Sequence, residues 1–279
     1  MQTHRAYRHD NKVSHQFSVH ASWATFWLSM IAGLLVVASV AIQAYKIHTG
    51  HERLFGLTSL FNLDAEQSLP MFFSVCLHLI AATLLLGITV AESRSSGQDL
   101  MRWRLLTVGF AFMAIDEACS LHESLAVPIR AMMGPGPRGI FFFAWVIPAM
   151  GLVAVLAFYF VGFLRRLPAP TALAFIGGGI LFLGGAIGVE MIGGWYSERH
   201  GENTQTYNLI TAIEESLEMA GVIVFIRALI NHAAYRMQTV GVQFIGTWTL
   251  AMSPRTSSAS LAAARLAHGR GEAMSLHPR

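Results

Sequence analysis

Six stretches of the chain stay apolar for about 20 residues or more, the length an α-helix needs to cross roughly 30 Å of hydrocarbon at 1.5 Å per residue. They run over residues 22–45, 70–92, 103–125, 139–164, 171–196 and 206–230. The pattern predicts an all-α polytopic membrane protein, a bundle of six transmembrane helices.

The connections carry a different pattern. Residues 46–69 set Leu54, Phe55, Leu57, Leu60, Phe61 and Leu63 among polar positions, which suits a segment lying along the interface and covering the bundle. Pro128, Met132, Met133, Gly134, Pro135, Gly136 and Pro137 predict an irregular loop. Ser197 to Thr206 reads as a short polar link. Within the spans, Pro148 is expected to remove a backbone hydrogen bond and kink its helix. The Gly184-x-x-x-Gly188 spacing in a glycine-rich fifth span is expected to let another backbone approach closely. After about residue 240 the apolar period is lost. The chain therefore divides into a transmembrane domain, 1–236, and a mobile cytoplasmic tail, 237–279.

Composition fits this picture, with 54% hydrophobic and 13% charged residues against about 25% charged in a soluble domain. The basic excess, 19 residues against 16 acidic, is topological and carries no nucleic-acid signal. Fourteen basic residues, from Arg5, Arg8 and Lys12 onward, flank one set of alternate loops and the C-terminal tail, and five flank the other. The positive-inside rule then puts both termini in the cytoplasm, and a bacterial inner (plasma) membrane is the expected location. The first span is too long for the apolar part of a signal peptide and reads as a retained helix. Cys76 and Cys119 fall inside spans, where a free thiol behaves as a small apolar side chain.

The spans also hold ionisable residues, each of which hydrocarbon penalises by several kcal/mol if left charged. His78 lies in span two; Asp116, Glu117, His122 and Glu123 in span three; Glu190 in span five; Glu214, Glu215 and Glu218 in span six. With the predicted topology all of them share the outer half of the bundle, and no lysine or arginine lies among them. A 100° step per residue sets Asp116, Cys119, Ser120 and Glu123 on one face of a continuous third helix. Glu214 and Glu218 are likewise neighbours on the sixth.

Three functions account for such a cluster. A metal-binding membrane enzyme uses carboxylates and imidazoles together, with His78, Asp116, His122, Glu123, Glu190, Glu214 and Glu218 as ligands. This set resembles that of the helical-bundle di-iron and di-manganese proteins, although Cys119-x-x-His122 and Glu215-x-x-Glu218 stand where those carry Glu-x-x-His. The donors suit a divalent transition metal: iron, manganese or zinc. Glu117 and Glu215 are then the candidate catalytic bases. The reaction would be an oxidation or a metal-dependent hydrolysis of a lipid or isoprenoid entering from the bilayer. A proton- or cation-coupled transporter uses carboxylates that share protons. A structural subunit of a membrane complex uses a satisfied polar network to dock other membrane subunits.

Overall fold

The computed structural model describes residues 20–50, 56–65, 67–94 and 97–236. The predicted tail and Arg5, Arg8 and Lys12 lie outside the described residues. Helices follow one another along the described chain: α1 (Ala21–Thr49), α2 (Leu57–Leu60), α3 (Leu69–Arg94), α4 (Leu100–Cys119), α5 (Leu121–Met133), α6 (Val146–Leu164), α7 (Ala169–Leu183), α8 (Glu190–His200) and α9 (Gln205–Arg236). A 3₁₀ turn, Gly139–Phe141, precedes α6, and a π turn, Gly184–Val189, joins α7 to α8. The fold is all-α.

Four of these runs are long and apolar enough to cross a membrane: α1, α3, α6 and the continuous stretch Ala169–His200. The pair α4 and α5 makes a fifth if its 77° bend is counted within one span. Helix α9, 32 residues long, runs through the middle of the bundle against α1, α3 and α7. It buries Met219, Ile226 and Leu229 at 1% exposure or less, against Leu77, Leu85 and Ile88 of α3. The opposite faces of the outer helices are apolar and exposed, as lipid requires.

Packing between α7 and α9 is backbone on backbone. A Cβ built on Gly221 would lie 2.6 Å from the Gly178 carbonyl oxygen, and one on Gly185 would lie 2.7 Å from that of Glu214. Such approach needs glycine, and it replaces the packing that hydrophobicity cannot drive inside lipid. The pair singled out by spacing, Gly184 and Gly188, is not the contact, since a Cβ on either would meet nothing within 4 Å. The helical count is the reason: Gly178 and Gly185, seven residues apart, share the face turned to α9, and Gly184 and Gly188 fall off it.

Helix α6 stands beside this core and is tied down at its ends. At one end Phe163 meets Trp103 edge-on at 5.0 Å, Arg102 lies 5.2 Å over the Tyr159 ring, and Arg166 pairs with Asp99. The Arg166 guanidinium, with help from Arg102, holds the Asp99 carboxyl below the usual carboxylate range. At the other end the Trp145 indole donates to Glu190 at 2.9 Å, and Arg130 Nε donates to the Phe142 carbonyl at 2.9 Å. Between these ties Val155 and Phe158 are 66% and 85% exposed.

Three further expectations change. The third span is broken: Ser120 takes a left-handed conformation, φ 47° and ψ 44°, and the chain turns there into α5. His122 and Glu123 therefore do not share a face with Asp116. The segment around Pro128, expected to be an irregular loop, is helical through Met133. Pro128 stands at its eighth position, and its missing N–H removes only one bond of a short helix. The fourth span starts at Val146, which places Pro148 in the first turn of α6, where its N–H has no intrahelical partner to lose. No kink results. Cys76 and Cys119 are free, and Cys119 is exposed, so no disulfide links them.

Candidate functional site

The helices line a cavity of about 570 Å³, open on one side and with two unlike ends. All nine ionisable residues singled out from the sequence line it: His78, Asp116, Glu117, His122, Glu123, Glu190, Glu214, Glu215 and Glu218. They arrive from α3, α4, α5, α8 and α9, and the bend at Ser120 brings His122 and Glu123 round to the cavity. The other end is lined by Leu106, Phe110, Leu156, Phe160, Phe163, Phe175 and Phe225. Behind this lining Trp103, 2% exposed, packs edge-on against Phe163 and Phe175.

At the acidic end the groups are engaged in pairs. Asp116 Oδ1 accepts the His122 backbone N–H at 2.9 Å, and its Oδ2 lies 2.9 Å from His122 Nδ1. Ser120 makes no side-chain cap bond of its own. Asp116, reaching across from α4, thus caps α5 and orients the imidazole at once. Glu190 accepts from Trp145 and is in hydrogen-bond contact with Glu214. Two carboxyl groups so placed share a proton or hold a cation between them. Glu117 of α4 bonds Ser74 of α3 and is an electrostatic neighbour of Glu215 on α9. His78 is fixed through Nδ1, 3.0 Å from the Ser74 carbonyl oxygen, while its buried Nε2 has no partner among the described residues.

Sequence patterning missed two contributors. Trp145, outside any acidic pattern, bonds Glu190 and sets its ring 4.7 Å from His122. Asp64, in the covering loop, lines the same cavity and takes a hydrogen bond from the Tyr207 hydroxyl. The loop is held to the bundle through Leu63, 6% exposed, whose N–H donates to Ser39 Oγ at 3.2 Å. The alternation of apolar and polar residues there announced a cover; nothing in it marked Asp64 as a wall of the site.

Asp64 opens on the mouth of the cavity, yet crowding protein and the nearby charges of Glu202, Glu123 and Glu190 push its carboxyl up from 3.8 to about 7. A carboxyl whose folded value is raised contributes stability at low pH, and that contribution is lost as pH climbs through the folded value. The melting temperature of Asp64→Asn, measured relative to the parent, should therefore rise from pH about 4 to about 7 and level off above. A difference independent of pH would show that Asp64 is an ordinary surface acid.

The donors have the chemistry of a metal site. Both imidazoles are held through Nδ1, which is how ligating histidines are usually oriented. Their placement does not complete one: among the described residues no three His, Cys, Asp or Glu side chains come together to hold an ion. The pairing just described explains this, because Asp116, Glu117 and Glu190 each turn toward a neighbouring side chain.

No curated protein and no solved structure matches the chain. Residues 27–233, which contain every cavity-lining residue, match one family, and the chain belongs to it: the domain of unknown function DUF8692.

Proposed function

We propose that the chain is an integral membrane enzyme that acts on a hydrophobic substrate, with the polar end of the substrate among the carboxylates and its apolar part in the limb below. One observation carries this reading: the acidic chamber and the aromatic-lined limb are a single cavity, of a size that takes a ligand rather than a few waters. A transporter needs a polar route to the second membrane face, and the limb ends instead on Phe163, Phe175 and Trp103. Glu117 and Glu215 are the proposed acid/base pair. His122, oriented by Asp116, is a second proton acceptor at the mouth.

The membrane frame of the proposal has six spans. Helix α9 is the sixth, the bent pair α4 and α5 the third, and both termini are cytoplasmic in a bacterial inner membrane, with the acidic chamber in the outer half. Reporter fusions should then give cytoplasmic signals near Gly97 and an outside signal near Gly134. An inside signal at Gly134 would reverse the topology.

A dependence on iron, manganese or zinc belongs to the same reading through donor chemistry alone. The test is turnover. Purified protein in nanodiscs is incubated with a bacterial lipid extract, with and without added divalent metal, and the products are resolved by mass spectrometry. At least one lipid class should be consumed by the parent and spared by Glu117→Gln and Glu215→Gln. A lipid profile unchanged under all conditions, together with solute flux driven by a pH gradient, would replace the enzyme with a transporter.

A further inference from the structure

The same cavity defines the kind of molecule that fits it, and the inference rests on the enzyme reading above. Eight carboxyl groups line the acidic end, Asp64 and the seven acids of α4, α5, α8 and α9, whereas among the described residues no lysine or arginine lines the cavity. Charges in an enclosed, weakly polar space interact far more strongly than in water. An anionic head, such as a phosphate or a carboxylate, meets eight carboxyl groups, with only the imidazoles of His78 and His122 as basic groups among the described lining.

A second observation points to a ligand at this level. His78 is 1% exposed, lines the cavity between Phe110 and Phe182, and leaves Nε2 without a hydrogen-bond partner among the described residues. Buried polar atoms are rarely left so, and the atom is suited to a polar head seated beside it.

The limb sets the tail. Along α7 and into the π turn that follows it the lining residues run from Phe175 to Ala186, about 16 Å at roughly 1.5 Å per residue. That is close to half of the roughly 30 Å hydrocarbon core, the depth of one leaflet. The walls are aromatic and aliphatic throughout. Gly179 widens them, since a Cβ there would meet nothing within 4 Å.

We infer that the cavity binds a long-chain amphiphile with a cationic amine head, the ammonium among Glu215, Glu218 and Glu190 and the chain between α6 and α7. The test uses the full chain in phosphatidylcholine nanodiscs, labelled with a photoreactive tetradecylamine and mapped by mass spectrometry. Cross-links should fall on α6 and α7. Unlabelled tetradecylamine should compete about 100-fold better than tetradecyl phosphate, as expected for charge discrimination in a weakly polar site. The double variant Glu215→Gln, Glu218→Gln should weaken competition by the amine about tenfold or more and leave that by tetradecanol unchanged. Gly179→Leu should reduce labelling by filling the limb. Equal competition by amine and phosphate, or labelling that ignores the glutamates, would overturn the inference. Amine binding without turnover of any lipid would remove the enzyme reading and leave this one. Turnover of a phosphate-headed lipid would do the reverse.

Discussion

Replacing Gly221 with alanine should unfold the centre of the bundle, or lower its melting temperature more than any other single methyl addition. The new Cβ would lie 2.6 Å from both the Gly178 oxygen and the Phe182 nitrogen. These are backbone atoms of a buried helix and cannot swing aside. Overpacking a core usually costs about 1–3 kcal/mol, and a backbone clash belongs at or above the top of that range. The matched control is Gly177→Ala on the same helix pair, where a Cβ meets nothing within 4 Å. There the helix gains roughly 1 kcal/mol of propensity. Thermal unfolding of the two variants in one detergent checks the pair. Equal stability would mean that α7 and α9 do not touch through their backbones.

A large effect on turnover is also expected at His122. Removing a positioned acid or base typically costs about 10²–10⁴-fold, and His122→Ala should lose turnover in that range. The informative variant is Asp116→Asn. Its carbonyl oxygen can still accept the His122 backbone N–H and cap α5, as Asn does well. Its amide nitrogen cannot accept a proton from Nδ1, so the ring is left in the other tautomer or turned away. Turnover should fall nearly as far as in His122→Ala, its pH profile should change, and the melting temperature should stay close to the parent. Full activity in Asp116→Asn would reduce the pair to a helix cap.

The all-α fold with membrane-length helices, and nine of the residues that line the cavity, could be read from the sequence, for a reason shared by particular residues. Glu214, Glu215 and Glu218 lie inside a helical run, where the cost of burying a charge makes each of them informative. Asp64 was invisible because an aspartate in a polar loop costs nothing until Leu63 docks against Ser39 and carries it to the cavity. The break at Ser120 was equally hidden. Its cause is tertiary: Asp116 offers α5 a cap from another helix, and no local turn residue announces it. Glycine spacing misled because an i, i+4 pair was taken as the contact, whereas the glycines that meet α9, Gly178 and Gly185, stand seven residues apart.

The π turn between α7 and α8 separates two demands that a straight helix would fuse. On one side of it Gly178, and at its start Gly185, set the rotation of the rod by their contact with α9. On the other, Gly194 against Phe142 and Phe143, with Glu190 bonded to Trp145, sets a rotation of its own. In an unbroken α-helix every residue is locked to the next at 100°, and a change in packing at one end would misaim the carboxylate at the other. The wider turn takes up that mismatch, so the chain can vary how its bundle is assembled and what its chamber recognises as independent traits.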